Sequence, residues 1–265
     1  MNAKTTSVGV VIPTYTNDIG LAFLWDALGA GPYEFVVVDN KPSMQKSNLM
    51  RGKNRLYLPQ KENLGFARSV NLGAAELATE WLLLLNDDIE ITVAQINTLL
   101  RFAIDRGFDA AVPVFVNSDG DIENIGYIVL PIGKIELNFD VAKHTSDTLD
   151  GVTAACLLVK RRIYETLGGM DEKFVSYLED VDFCLRMKQE DLRFGVNIDM
   201  QVLHHHRQTS KYMPVYKAKR DMINWFLLIR KHWSLTMLIK YFPGIFLERL
   251  LNISGYIKTY SWKHR

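Results

Sequence analysis

The stretch Trp81-Leu82-Leu83-Leu84-Leu85-Asn86-Asp87-Asp88-Ile89-Glu90 joins five apolar residues to three polar ones. Such an apolar run predicts a strand buried on both faces, as in the middle of a largely parallel sheet. Its C-terminal end would lie in the crevice where open α/β sheets bind ligands. Asp87 and Asp88 repel each other unless a cation lies near them, and a divalent cation that holds a phosphate fits this place. A turn that caps the next helix is the alternative.

Strand and helix patterns alternate along the rest of the chain. Apolar runs predict strands at 8–12, 34–38, 56–58, 110–116 and 150–159, and residues 202–207 are predicted to end a further strand. Residues 125–130 and 134–138 are predicted to pair as a hairpin. Helical spacing of apolar residues predicts helices at 20–28 and 66–77. This order predicts a doubly wound α/β sheet. Thr14, Asp39 and Asn40 follow predicted strands as Asp88 does, so polar side chains converge as a nucleotide crevice requires.

Composition is that of an ordinary globular protein. Of 265 residues, 48% are apolar and 23% are charged, which predicts one large core with or without an appendage. Cys156 and Cys184 lie in apolar stretches, so we expect reduced thiols and no disulfide framework. The first seven residues are polar, and no run approaches the ~20 apolar residues that a spanning helix needs. We therefore expect a cytoplasmic protein without a signal peptide.

Charge is distributed unevenly. From Lys211 to the end, 11 Lys and Arg stand against Asp221 and Glu248, whereas residues 1–210 carry a net charge of −8. The basic segment also contains many aromatic and aliphatic residues, which predicts two or three short helices interrupted at Pro243-Gly244. We expect this segment to contact an anionic membrane surface. Packing on the rest of the chain, or on a second copy in a homo-oligomer, is the alternative; nucleic acid is not expected, because no base-reading motif is present.

Four motifs occur in order within the first 90 residues: Val10-Val-Ile-Pro-Thr-Tyr15, Val36-Val-Val-Asp-Asn40, Asn63-Leu-Gly-Phe-Ala67 with Asn71, and Leu84-Leu-Asn-Asp-Asp88. Together they resemble the nucleotide-binding half of the family 2 inverting glycosyltransferases, in a rhamnosyltransferase/galactofuranosyltransferase-like branch. The resemblance implies a GT-A fold, which is a mixed, mostly parallel sheet with helices on both faces. Residues 1–110 would bind the nucleotide-sugar, residues 111–210 would bind the acceptor, and residues 211–265 would form a helical C-terminal extension.

The resemblance also implies donor-side roles. Asn86 replaces the first acid of the Asp-x-Asp motif, so Asp88 would bind Mg²⁺ or Mn²⁺ and Asp87 would contact the sugar-nucleotide. His204 would complete the metal sphere or touch the diphosphate, with His206 as the alternative. The other donor-binding residues implied are Pro13, Thr14, Tyr15, Asp39, Asn63, Gly65, Arg68 and Asn71. From the residues alone, Asn63 and Gly65 would open a helix with free N–H groups for an anion. Arg68 could reach a phosphate, but a solvated surface side chain is the commoner role of a single Arg.

A second motif pair lies in the acceptor half: Gly168-Gly169-Met170-Asp171-Glu172, then Glu179-Asp180-Val181-Asp182. The spacing predicts a helix whose first turn carries these acids, where they stabilise the N-terminus, and Asp182 is expected to pair with Arg186. The family motif implies that Asp180 is the general base and that Glu179, Gly169 and Asp171 bind the acceptor.

These features predict an inverting glycosyltransferase. The resemblance implies transfer from a UDP- or dTDP-sugar to a hydroxyl of a saccharide acceptor, lipid-linked, in bacterial cell-surface polysaccharide synthesis at the inner face of the plasma membrane. A nucleotidyltransferase is one alternative, but it would need a Gly- and Arg-rich loop where this chain has Pro13-Thr14-Tyr15. A degenerate sugar-nucleotide-binding subunit of a glycan assembly complex is the other, and the presence of Asp88, Asp180 and His204 argues against it.

Overall fold

The structure, a computed structural model, describes residues 7–29, 31–49, 54–205 and 214–263. Its strands are β1 (Val8–Thr14), β2 (Glu34–Asp39), β3 (Arg55–Pro59), β4 (Trp81–Leu85), β5 (Ile89–Glu90), β6 (Ala110–Val116), β7 (Ile122–Asn124), β8 (Gly126–Val129), β9 (Ile135–Asn138), β10 (Cys156–Lys160) and β11 (Phe194–His204). Its helices are α1 (Asp18–Leu28), α2 (Met44–Leu49), α3 (Gly65–Ala75), α4 (Val93–Asp105), α5 (Arg161–Thr166), α6 (Glu179–Gln189), α7 (Pro214–His232) and α8 (Leu235–Lys263), with a short 3-10 helix at Glu172–Phe174.

One mixed sheet crosses the molecule in the order β3-β2-β1-β4-β10-β6-β11-β5, with β7 beside β6. Strands β1 to β4 run parallel, as do β6 and β11, whereas β10 runs antiparallel between β4 and β6. The parallel strands require crossover connections, so their carboxyl ends meet at one edge of the sheet. The predicted hairpin is confirmed: β8 and β9 pair with each other in a separate two-stranded sheet.

Strand β4 lies at the centre of the core. Each of its residues is exposed by 2% or less, which confirms the strand buried on both faces that its apolar run predicts. Helix α3 packs closely on its neighbour β1 because Gly73 carries no side chain. A Cβ there would lie 2.5 Å from a methyl carbon of Val11, so any larger residue would push the helix away from the sheet.

The strand predicted over 150–159 begins only at Cys156. The residues before it leave the main sheet, because Gly151 bridges to Tyr127 of β8 instead. The carboxylate of Asp150 holds this departure in place by accepting from Val129 N at 2.8 Å and from Lys188 Nζ at 2.7 Å. Specific polar contacts thus override the strand pattern of the sequence.

The C-terminal segment forms two long helices, so the prediction of short helices interrupted at Pro243-Gly244 is wrong. Pro243 lies inside α8. Apolar residues before and after it, Leu238 and Ile245 among them, pack on one cluster with Trp225, and this tertiary packing outweighs the one backbone hydrogen bond that proline removes. No helix in the described ranges is both long and apolar enough to cross a bilayer.

Helix α7 packs on residues 131–133 and on the turn at 174–177. Trp225 and Trp233 are buried and donate from their indole N–H groups to Gly133 O at 2.8 Å and Pro131 O at 2.7 Å. Helix α8 differs, because it leaves a row of apolar side chains more than 45% exposed: Leu235, Ile239, Phe242, Phe246 and Leu250. We call this row the α8 apolar stripe.

Candidate active site

Three residues that the sequence predicts to meet lie on one cavity. Asp88, Asp180 and His204 line a space of about 720 Å³ between the C-terminal end of β4, the start of α6 and the C-terminal helices. The alternative role of Asn86 to Asp88 as a helix cap does not apply. Helix α4 begins at Val93 and is capped by the Thr92 side chain, with Gln95 completing a capping box.

His204 lies between two carboxylates. Its Nε2 is 3.4 Å from Asp88 Oδ1, and its Nδ1 is 2.9 Å from Glu123 Oε2. Burial lowers the pKa of His204, but hydrogen bonds to Asp88 and Glu123 outweigh that effect and raise the pKa to about 9. His206 lies outside the described residues. Glu123 is absent from the sequence prediction, because a single carboxylate in the three-residue strand β7 leaves no pattern to find.

The donor set of this pair fits a divalent cation. A carboxylate oxygen is a ligand that Mg²⁺ and Mn²⁺ accept, Mg²⁺ is commonly held by one or two carboxylates together with substrate phosphates, and the imidazole of His204 could add a nitrogen once its proton is displaced. Within the described part of the chain, no three His, Cys, Asp or Glu side chains are grouped to hold a metal ion. Asp88 and His204 are thus a pair of candidate ligands and not a complete set among the described residues.

Asp180 is the second residue of α6, and its carboxylate is fixed from three sides. It accepts from Val181 N at 2.8 Å, from Tyr127 OH at 3.3 Å and from Ala154 N at 3.4 Å. Burial raises the pKa of Asp180, and these donors offset only part of that rise. The carboxylate is thus oriented and more basic than a solvated one.

Glu179 lies beside Asp180 on the same cavity. It is only 7% exposed, and its Oε2 atom has no hydrogen-bond partner among the described residues. Burial and the neighbouring Asp180 raise the pKa of Glu179 well above the ordinary value. This side chain has unused capacity to bind a hydroxyl group that enters the cavity.

The turn that leads into α6 is strained and is held by α7. Val175, Tyr177 and Leu178 all have positive φ, at 62°, 71° and 66°. Each such non-glycine residue costs about 1–2 kcal/mol. The side chain of Asn224 is fully buried and its Nδ2 lies 2.7–2.8 Å from the carbonyl oxygens of Phe174, Ser176 and Tyr177, to which it donates.

The N-terminus of α3 is not open to an anion. The N–H groups of its first residues donate within the protein: Leu64 to Asn40 Oδ1, Gly65 to Asn63 Oδ1, Phe66 to Ser176 Oγ and Ala67 to Val175 O. The expected free N–H groups are therefore taken by the strained turn and by polar side chains. Gly65 has a φ of +78° and lies against Val175, so its requirement for glycine is structural.

Asp39 is fully buried and its oxygens are bound by the protein itself. Oδ1 accepts from Lys46 Nζ at 2.8 Å and from Lys41 N at 3.0 Å, and Oδ2 accepts from Tyr57 OH at 2.6 Å. Lys46 is buried too, and it also donates to Tyr15 O at 2.7 Å. The carboxylate that is predicted to bind a base or ribose is therefore already engaged by Lys46, whose role no sequence pattern indicates.

The other donor-side residues lie around this pair. Thr14, which follows Pro13 in β1, is buried beside the carboxylate of Asp87. Asp87 accepts from Asn17 Nδ2 at 3.4 Å, and burial together with the charge of Asp88 raises the pKa of Asp87 to about 7. Arg68 is exposed on α3. None of these side chains lines the cavity of Asp180.

Asn71, Gly169 and Asp171 brace the chain before the 3-10 helix and do not line the cavity of Asp180. Asn71 Oδ1 accepts from Tyr164 OH at 2.6 Å and from Met170 N at 2.9 Å. A Cβ on Gly169 would collide with that same oxygen atom. Asp171 accepts from Lys231 of α7 at 2.8 Å. Their polar groups are thus engaged within the protein, away from the cavity of Asp180.

Asp182 joins α6 to α7. It is fully buried and pairs with Arg186 at 2.9 Å, as the spacing predicts, and also with Lys231 at 2.9 Å and His232 at 2.8 Å. Burial raises the pKa of Asp182, but these partners outweigh it and hold the pKa below the ordinary value. Helix α7 is therefore attached on both sides of Asp180 along the chain: Asn224 binds the turn before it, and Lys231 and His232 bind Asp182 after it.

The chain resembles known proteins in sequence. Residues 9–168 match the model of the family described as Glycosyl transferase family 2. The low-salt glycan biosynthesis hexosyltransferase Agl10 of Haloferax volcanii is 24% identical over 230 residues, which cover 83% of this chain and 74% of that protein. The O-antigen biosynthesis protein RfbC of Myxococcus xanthus is 28% identical over 148 residues, which cover 51% of this chain and 12% of RfbC.

Solved structures share the architecture. The mannosyltransferase PcManGT from Pyrobaculum calidifontis, solved with GDP-Man and Mn²⁺, superposes with a TM-score of 0.62 at 14% identity and covers 96% of this chain and 74% of its own. GalNAc-T7, solved with UDP, GalNAc and Mn²⁺, gives a TM-score of 0.65 at 12% identity over 86% of this chain and 48% of its own. The GT-A fold expected from the motifs is confirmed.

Proposed function

The chain belongs to glycosyl transferase family 2, and on that premise we propose that it transfers a sugar from a nucleoside-diphosphate sugar to a hydroxyl group of a saccharide acceptor with inversion. One observation carries the proposal. Asp88, His204 and Asp180 come from three separate segments of the chain and line one cavity. Folding alone does not require this convergence, whereas a reaction between a metal-bound diphosphate and a hydroxyl does.

Asp180 is the proposed general base. Its carboxylate would accept the proton of the attacking hydroxyl, which approaches the anomeric carbon on the side opposite the departing diphosphate. Tyr127 and the Ala154 N–H hold the carboxylate in one orientation, and burial raises its affinity for the proton. Glu179 would bind a second acceptor hydroxyl through its unpartnered Oε2.

Asp88 and His204 would hold a Mg²⁺ or Mn²⁺ ion, which when bound neutralises charge on the departing diphosphate. The nucleoside, UDP or dTDP in our proposal, would lie at the strand ends near Thr14, Tyr15 and Asp87, with the exposed Arg68 available to a phosphate. The relatives solved with GDP-Man and with UDP support a nucleotide-sugar donor. For Asp39 to bind the nucleoside, Lys46 must move away from its carboxylate.

The acceptor in our proposal is a lipid-linked saccharide of bacterial cell-surface polysaccharide synthesis, used at the inner face of the plasma membrane. The names of Agl10 and RfbC, which refer to glycan and O-antigen biosynthesis, support this class of product. The α8 apolar stripe and the net charge of +9 on residues 211–265 support contact with an anionic membrane surface.

A panel of nucleotide-sugars tests the activity. With Mn²⁺ present, donor hydrolysis should be detectable for one donor, and the same nucleoside diphosphate should raise the melting temperature of the protein. A folded protein that binds a nucleotide-sugar but never cleaves it, with any acceptor offered, would favour the degenerate binding subunit instead.

A further inference from the structure

We propose that Arg249 of α8 binds a phosphate group of the acceptor, at the point where the saccharide is joined to its lipid. The inference rests on the proposed function and specifies its acceptor. It concerns a residue in the C-terminal helices, on the wall of the cavity that also holds Asp180.

Arg249 is a buried cation that makes no ion pair with another described residue. Among the Lys and Arg residues of the described chain, only Lys46 and Arg249 are buried, at 0% and 8% exposure. Lys46 has Asp39 at 2.8 Å and Asp18 at 3.5 Å. Arg249 has no carboxylate within 4.0 Å in the same described ranges, and its Nε has no hydrogen-bond partner. A buried charge of this kind is costly unless a ligand supplies the counter-charge.

The guanidinium group is held in place in advance. Its central carbon lies 4.6 Å from the ring centre of Trp225 and 5.3 Å from that of Phe226, and Nη1 donates to Met222 O at 3.4 Å. The adjacent carboxylate, Glu248, accepts instead from Asn252 at 3.0 Å. A stacked guanidinium with unused N–H donors is suited to the oxygens of a phosphate, which it can bind through two parallel hydrogen bonds.

The chemistry along the cavity wall indicates which phosphate. Glu179, Asp180 and Arg249 line one cavity, and Leu250, the last residue of the α8 apolar stripe, follows Arg249 in the sequence and is 48% exposed. A lipid-linked saccharide offers one group for each of these features: a sugar hydroxyl, a phosphate and a hydrocarbon chain. The diphosphate of the donor is proposed to lie beside Asp88 and His204, so it is not the phosphate group that Arg249 would bind.

Calorimetric titration of the full chain with geranyl diphosphate and with geraniol tests the proposal. EDTA in every sample excludes binding of the diphosphate through a divalent ion. The wild-type protein should bind geranyl diphosphate about tenfold or more tightly than geraniol, because charge-assisted hydrogen bonds are strong. Arg249→Gln should lose that preference, and Arg249→Lys should keep only part of it, because an ammonium group preserves the charge but not the two parallel hydrogen bonds. Arg230→Gln, which removes an exposed charge from α7, is the matched control and should bind as the wild type does.

Three results would overturn the proposal. One is equal affinity of the wild-type protein for geranyl diphosphate and for geraniol. This result would overturn the proposal even if Arg249→Gln fails to fold. Another is a folded Arg249→Gln protein with unchanged affinity. The third is inorganic pyrophosphate binding as tightly as geranyl diphosphate, which would remove the lipid from the assignment. Donor hydrolysis with Mn²⁺ is measured separately, so failure of the transferase proposal is distinguishable from failure of the phosphate site.

Discussion

Buried ionisable residues divide into two groups according to their partners. Asp39 with Lys46, and Asp182 with its three cationic partners, are satisfied within the protein and link elements of the fold. Glu179 and Arg249 are buried on the cavity wall and retain unpartnered atoms. Because an unsatisfied buried polar group costs about 1–3 kcal/mol, we expect the second group to gain most from a bound ligand.

Lys46 should be important for stability. Lys46→Met would leave the carboxylate of Asp39 buried without its cation, and breaking a buried pair from one side typically costs about 3–5 kcal/mol. Urea denaturation should show this loss, whereas Lys61→Met, at an exposed position, should change the free energy of unfolding by less than about 0.5 kcal/mol. A loss below about 1 kcal/mol for Lys46→Met would mean that the pair does not stabilise the fold.

The pH dependence of kcat/KM should report Asp180. A base must be ionised to act, so activity should fall as pH decreases through its pKa, which burial places above the usual carboxyl value of about 3.9. Tyr127→Phe removes a donor that favours the ionised form, so the acidic limb should move to higher pH. Tyr241→Phe on α8 serves as control. An acidic limb that stays in place, or moves to lower pH, contradicts the assignment.

At the scale of elements, the turn over 174–178 links the two halves of the proposed site. Val175 and Ser176 of this turn accept hydrogen bonds from the N-terminus of α3, and the turn leads directly into α6. Asn224 of α7 donates to the carbonyl oxygens of the same turn. The C-terminal helices are therefore part of the support for the proposed base and not a separate appendage to it.

Asn224→Leu should impair turnover more than donor binding. The substitution keeps the volume but removes the donor from three carbonyl oxygens, so the strained turn should relax and displace Asp180. We expect kcat to fall about tenfold or more while KM for the donor changes less than about threefold. Lys219→Leu, an exposed change on α7, should leave both constants near wild type. An increase in KM for the donor as large as the decrease in kcat, or no change in either constant, would argue against a positioning role.

Much of the fold was predictable where local sequence patterns match their environment. Strand β4 leaves an unambiguous apolar run, and the pairing of Asp182 with Arg186 follows from helical spacing. Long-range contacts left no such signal. Lys46 is an isolated lysine in a polar stretch, and Glu123 reaches His204 across 81 positions. Pro243 is a helix breaker by local rules, but packing on both sides keeps α8 continuous.

For the whole molecule, the distribution of apolar surface indicates how it would meet a bilayer. The α8 apolar stripe lies in the basic part of the chain, so hydrophobic insertion and electrostatic attraction would act through the same segment. We expect sedimentation with vesicles of phosphatidylcholine and phosphatidylglycerol to weaken as salt increases.

The double variant Ile239→Ser/Phe242→Ser should abolish that sedimentation. A matched pair of exposed apolar residues exists on α1, Ile19 at 63% and Phe23 at 54% exposure, and serine at both should not affect binding. If the α1 pair matters as much as the α8 pair, the binding is non-specific adhesion of apolar surface and the membrane assignment is wrong.

The most direct test of the account is the rate of sugar transfer by Asp180→Asn. The amide keeps the shape of the side chain but cannot take a proton at neutral pH. We predict that kcat falls by about 10²-fold or more, while the affinity for the nucleotide-sugar with Mn²⁺ stays within about threefold of wild type because Asp88 and His204 are intact. An Asp180→Asn protein with full turnover would contradict the central claim that these three residues form one catalytic site.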